Sequence, residues 1–312
     1  MAIPAQKERK AIFMKKQNDN FIMLPTVDFC FKELMQNPKV RKGFIAALLK
    51  VNPESISETT LLPTIMERRY GEDKMGILDV RILMENGTQL GLEVQVAEFE
   101  YWDERILYYI SRQFSDQLKK GNGYDLLKKC IHVSILDYIR FPDDDRCYRT
   151  FHIRDDKTGE IYSDLMEFHF LELKKVPRDV CTGEEIIAWM KFLSGKRKEE
   201  FEVMAKTNEY LDEAYDTLVN LSADEKKRLV YEAREKALKD YNTQMKSAKS
   251  QGIRIGEERG IQIGEERGIQ IGEERGEQRT KQVFKLHNQN KTPEEIAEIC
   301  QIPLEKVLEI LE

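Results

Sequence analysis

The stretch that decides the fold runs Ile77-Leu78-Asp79-Val80-Arg81-Ile82-Leu83-Met84-Glu85-Asn86-Gly87-Thr88-Gln89-Leu90-Gly91-Leu92-Glu93-Val94-Gln95-Val96. Asn86-Gly87 lies between two apolar runs, a strong hairpin signal because both central turn positions favour a left-handed backbone. In the first run Leu78, Val80, Ile82 and Met84 alternate with Ile77, Asp79, Arg81 and Leu83, which predicts a strand over 77–84. Its partner spans 90–96. Residues two apart on a strand share a face, so Glu93 and Gln95 project together, and Leu92, Val94 and Val96 turn toward a core. The turn returns Asp79 to the side of this pair.

Carboxylates are costly on an otherwise apolar strand unless something satisfies them. Two of them on adjacent strands make a hard-oxygen site suited to Mg2+ or Mn2+. Such an ion can activate water and offset the charge of a scissile phosphate. The bland reading stands beside this one: Asp79 in an ion pair with Arg81 or Arg69, and Glu93 and Gln95 on the wet face of an antiparallel strand.

Working outward, Val27 to Lys50 carries Phe31, Leu34, Met35, Phe44, Ile45, Leu48 and Leu49 at helical spacing, interrupted at Asn37-Pro38. A strand is expected over 64–69, and an amphipathic helix over 102–120. Further strands are expected over 129–136, 148–153 and 167–173. The order α-β-β-β-α-β, with extra strands after it, predicts an α/β or α+β fold on a mixed sheet. Residues 183–249 lack proline and read as continuous helix.

On these residues the chain resembles the PD-(D/E)XK nucleases, in particular the Rpn group of recombination-promoting nucleases and putative transposases. The resemblance rests on Asp28-x-x-Phe31-Lys32, Ile77-Leu78-Asp79-Val80, Leu92-Glu93-Val94-Gln95, Arg105-x-x-Tyr108-Tyr109 and Gly121-x-x-Tyr124. It implies a restriction-endonuclease-like core, a central mixed sheet flanked by helices, followed by an α-helical C-terminal extension. It also implies a metal-dependent DNA endonuclease with Asp79 and Glu93 as metal ligands. Asp79, Glu93 and Gln95 would form the catalytic set. Gln95 stands where the wider superfamily has lysine; glutamine is common there in the Rpn group. A glutamine amide can orient water but brings no charge, so weaker or more metal-dependent hydrolysis is expected. Leu78 replaces the motif's proline.

Supporting residues carry paired readings. Asp28 approaches the metal or caps the first helix. Glu67 adds a ligand or is a surface strand glutamate. Arg105 and Tyr109, one helical turn apart, contact phosphate and stack a base, or else pack into the core and pair with a carboxylate. Tyr124 closes the resemblance, beside the lysine cluster Lys119, Lys120, Lys128 and Lys129. That cluster tracks a DNA backbone or is solvated surface.

Composition sets limits. The 312 residues carry 50 Lys+Arg against 56 Asp+Glu, net -6, so bulk charge does not draw in phosphate. No run of about 18 apolar residues occurs, and no membrane contact is expected. The five cysteines form no C-x-x-C and the four histidines no metal spacing, which disfavours a disulfide scaffold or zinc chemistry and suits a reduced cytoplasm.

Residues 252–259 read GIRIGEER, then GIQIGEER twice, with glycine at 252, 256, 260, 264, 268, 272 and 276. A helical or coiled-coil spacer competes with short β units. Thr292-Pro293-Glu294-Glu295 opens a helical hairpin that is too acidic to read DNA well. The expected organisation is a flexible basic lead-in (1–20), a nuclease-like domain (21–182), a helical extension (183–250), the repeat (251–279) and a hairpin tail (280–312). The repeat is expected to act as a spacer or as a homo-oligomer contact, and the hairpin as an interaction element or a cap. The alternatives to a DNA endonuclease are a catalytically inactive DNA- or protein-binding module on the same fold, and a nuclease acting on RNA.

Overall fold

A computed structural model describes residues 21–66, 72, 74–177 and 183–312. The lead-in 1–20 and Glu67 lie outside the described residues. The chain divides into two compact units, 1–239 and 240–312.

The first unit begins with α1 (Asp28–Gln36) and α2 (Pro38–Leu49). Asn37 separates them: its side chain accepts from the amides of Lys39 and Val40, and Pro38 fills the first helical position. Then come β1 (Thr59–Leu62), β2 (Ile65–Met66), β3 (Gly76–Ile77), β4 (Val80–Met84) and β5 (Gln89–Gln95). Helix α3 (Trp102–Ser115) crosses to β6 (Cys130–Leu136), followed by β7 (Tyr148–Arg154) and β8 (Ile161–Glu172). The main sheet has the order β1-β4-β5-β6-β8-β7. Its centre is parallel (β5/β6, β6/β8) and its flanks antiparallel, so the sheet is mixed, as expected. Strands β2 and β3 form a separate small pair.

Three differences from the sequence expectation matter. The predicted strand 77–84 is broken at Leu78-Asp79, and β1 enters beside β4 as a strand the sequence reading did not identify. Thr59–Leu62 is too short and too little alternated to announce itself. The continuous helix expected over 183–249 is instead α4 (Glu185–Ser194), α5 (Lys198–Ala205), α6 (Glu209–Ala223) and the start of α7 (Glu225–His287). Gly195, Asn208 and Asp224 divide it; Asn208 caps α6 by accepting from the amides of Tyr210 and Leu211. An N-cap residue takes a non-helical backbone and starts the next helix, so the run divides without a proline.

One sheet face is apolar. Leu90, Leu92, Val94, Ile131, Val133, Ile135 and Leu171 pack there with Phe31 and Leu34 of α1, Phe44 and Ile45 of α2, and α4–α6. Each large side chain so buried contributes about 1.5–3 kcal/mol. Helix α3 covers the opposite face through Trp102 and Ile106 on Leu136 and Phe170, and through Tyr109 on Met66 and Leu78. The hairpin closes as expected: Gly87 has φ +85°, and the Met84 amide donates to the Thr88 carbonyl at 2.9 Å.

In the second unit α7 carries the whole repeat as helix. Helices α8 (Pro293–Cys300) and α9 (Leu304–Leu311) pack around Val283, Ile296 and Val307, with a complete capping box between Thr292 and Glu295. Among the described residues no helix is long and apolar enough to cross a membrane.

Candidate metal centre

The site forms where β4 begins. Val80 pairs with Leu92, so one further step along the register sets Asp79 opposite Glu93. Asp79 is not in a ladder itself. Its Oδ2 accepts the Val94 amide at 2.9 Å, which ties the bend at 78–79 to β5 by a charge-assisted bond. Lys32 Nζ of α1 lies 3.0 Å from Asp79 Oδ1 and 3.5 Å from Asp28 Oδ2. Asp28 does not cap α1: that position is Val27, without a side-chain bond, and Asp28 faces Lys32 one turn on.

Glu93 is 3% exposed, under α3. Arg105 Nη2 lies 2.5 Å from Glu93 Oε1. Its guanidinium stands 5.1 Å from the Tyr109 ring centre and 5.8 Å from that of Trp102. Burial pushes the Glu93 carboxyl up to about 7; Arg105 pulls it down, and the like charge of Asp79 adds to the rise. Arg105 and Tyr109 therefore share a face as expected. Tyr109 is buried, and burial raises its phenol pKa.

The register also sets His132 beside Gly91 and Ser134 beside Glu93. A Cβ on Gly91 would lie 3.1 Å from Gln113 Oε1, so α3 rests close on β5 there. His132, Ser134 and Gln113 are buried. Among the described residues their side-chain polar atoms, and Glu93 Oε2, make no hydrogen bond to protein. Burial and the Arg105 charge push His132 down to about 3, so it stays neutral. These polar neighbours were visible in the alternation of Cys130, His132 and Ser134 with Ile131, Val133 and Ile135, but were not singled out. Lys32 likewise shares a helix face with Asp28 at i, i+4.

The remaining expectations are placed as follows. Gln95 Nε2 donates to the Ala97 carbonyl at 2.9 Å. Tyr124 is 84% exposed on a 3-10 turn, outside the buried group around Glu93. Of the lysine cluster, Lys129 pairs with Glu167. No group of three or more His, Cys, Asp or Glu among the described residues assembles as a metal site. Mg2+ commonly binds through one or two carboxylates, its other ligands being waters and substrate phosphates. Asp79 and Glu93, with Glu93 Oε2 uncommitted, fit that donor set.

No curated protein and no solved structure matches the chain. A sequence model described as PD-(D/E)XK nuclease family transposase matches residues 25–248, which takes in α1, both acids, Gln95 and α3. That match covers well over half of the chain, and the chain belongs to the PD-(D/E)XK nuclease family of transposases.

Proposed function

We propose that the chain is a metal-dependent DNA endonuclease hydrolysing phosphodiester bonds in recombination- or transposition-like DNA processing. Asp79 and Glu93 hold Mg2+ or Mn2+. The observation that carries this reading is the bond from the Val94 amide to Asp79, which holds that acid just before β4, one step beyond the Val80–Leu92 pair and so toward Glu93 of β5. Bound there, the ion would lower the pKa of a water and offset charge on the scissile phosphate. The chain's own groups do the rest. Arg105 holds the Glu93 carboxylate in place and, with Trp102 and Ile106, keeps bulk water from its inner side. Gln95 exchanges its bond to Ala97 for one to water or phosphate. Family membership supports DNA as the substrate, and the exposed Tyr124 is a candidate stacking surface for it.

For the tail we infer self-association with a second copy. Residues 251–279 are all exposed, including Ile253, Ile255, Ile261, Ile263, Ile269 and Ile271. A Cβ at any of the seven glycines would meet nothing within 4 Å. Those glycines cost the helix roughly 1 kcal/mol each. Pairs such as Arg254–Glu258 return only about 0.2–0.5 kcal/mol each. A neighbouring helix seated against the glycines would offset the difference.

The test of the nuclease is plasmid nicking with Mg2+ or Mn2+, comparing wild type with Asp79→Ala and Glu93→Gln. The expected result is metal-dependent nicks that both substitutions abolish. No cleavage in either metal leaves the inactive binding module as the reading, and equal cleavage by the variants removes Asp79 and Glu93 as the catalytic acids.

A further inference from the structure

We propose that Lys32 is the cationic catalytic residue of this site, supplied by α1 in place of the lysine that the strand lacks. The inference rests on the nuclease reading above. Gln95 stands at the position of that lysine, is uncharged, and donates to the Ala97 carbonyl at 2.9 Å. A side-chain charge at the phosphate, beside that of the ion, would therefore come from another element. Arg105 is committed: it lies 2.5 Å from Glu93 Oε1 and packs over the Tyr109 ring. Arg81 donates to the Pro63 carbonyl at 2.9 Å. Lys32 differs from both. Its ammonium sits 3.0 Å from Asp79 Oδ1, at the acid assigned to the metal, and its side chain is 34% exposed, open to an incoming strand.

The position of Lys32 is set by packing rather than chance. Its neighbours Phe31, Leu34 and Met35 are buried and fix the rotation of α1 about its axis. Asp28, one turn earlier, steers the ammonium from the other side at 3.5 Å. A lysine ammonium has three donors and a flexible stem. It can keep one donor on Asp79 and offer another to a non-bridging oxygen of the scissile phosphate. It then offsets negative charge that grows on that oxygen as water attacks, which is the step where fixed positive charge is worth most.

The assignment predicts an outcome that a merely structural ion pair does not. Lys32→Met should lower kcat for nicking by about 100-fold or more. KM for DNA and DNA affinity measured in Ca2+ should stay within about threefold of wild type. Ca2+ affinity by calorimetry, without DNA, should be unchanged or higher, since the competing ammonium is gone. Gln95→Lys in the Lys32→Met background should recover at least tenfold of the lost rate, because it restores an ammonium from the strand. Lys32→Arg should retain intermediate activity, and melting curves check that each variant folds.

If wild type nicks DNA and Lys32→Met nicks it within threefold, the assignment falls alone. It also falls if Ca2+ affinity drops together with the rate, which would make Lys32 a holder of Asp79. Loss of rate without recovery by Gln95→Lys overturns it too. A wild type that cuts nothing overturns the nuclease reading, and this assignment with it.

Discussion

The Val94 amide donates to Asp79 Oδ2 at 2.9 Å, so the side chain of one strand's first bend satisfies the backbone of its neighbour. This bond does two things at once: it locks the chain at 78–79 and aims the carboxylate across from Glu93. The two jobs can be separated. Asp79→Ala leaves a buried amide unsatisfied and should cost about 1–3 kcal/mol. Asp79→Asn keeps an acceptor for that amide and should recover most of the stability. Neither should cleave. Urea unfolding beside plasmid nicking checks both halves.

Glu93 makes stability depend on pH. Its carboxyl is pushed up to about 7 in the folded chain, mainly by burial, against an ordinary value near 4.5. The folded state therefore holds a proton that the unfolded state gives up. The resulting stabilisation is fully present below about pH 4.5 and is lost as pH rises through about 7. Metal-free protein should be more stable at pH 5.5 than at pH 8 by on the order of 2 kcal/mol from this group. Glu93→Gln should flatten that difference in chemical denaturation without metal; an unchanged slope would rule Glu93 out as its source.

Arg105 is the counter-charge of a carboxylate that is nearly sealed off. Arg105→Ala should destabilise the chain by about 2 kcal/mol at pH 8, where Glu93 is ionised and left unpaired. At pH 6 the cost should be smaller, because Glu93 then takes up a proton. Arg105→Lys should restore charge without the flat packing on Tyr109 and Trp102, and should fall between the two. Denaturation at both pH values measures it.

Packing makes a separate prediction away from the site. A Cβ on Gly43 of α2 would lie 2.3 Å from Tyr210 Cβ of α6. That atom is bonded directly to the α6 backbone and cannot swing aside. Gly43→Ala should therefore cost about 2 kcal/mol through forced separation of the two helices, although alanine favours helix in isolation. A melting temperature at or above that of wild type would contradict this close approach.

The tail can be tested by charge. Replacing Ile253, Ile261 and Ile269 together by glutamate should dissociate any self-assembly seen for wild type in sedimentation velocity. It should leave the nicking rate per chain within about threefold at high DNA concentration. A wild type that sediments as a monomer at micromolar concentration would remove the self-association proposal.

The legible parts of this protein were those set by local pattern. Alternation over Leu90–Val96, the Asn86-Gly87 turn and the helical spacing of Phe31, Leu34 and Met35 are read within one or two turns of chain. Thr292-Pro293 with Glu295 is likewise a self-contained cap. Such signals survive without knowing what they pack against. They were enough for a mixed α/β sheet and for Asp79, Glu93 and Gln95 as the residues to watch.

What escaped the pattern was settled by distance in space. Nothing in Thr59–Leu62 says that it lies beside β4, and nothing in Lys32 alone says that it ends 3.0 Å from Asp79, forty-seven positions on. Arg105 was read both as a phosphate contact and as a carboxylate partner; only the packing of α3 over Glu93 puts its guanidinium on that oxygen. The raised pKa of Glu93 belongs to the same class, since it depends on how much water α3 and β6 exclude. The sequence by itself determined which side chains alternate, turn and cap, because those preferences act between near neighbours. The tertiary structure decided which charges meet and how deeply they are buried, because electrostatic energy depends on separation and solvent access, and neither is a property of local sequence.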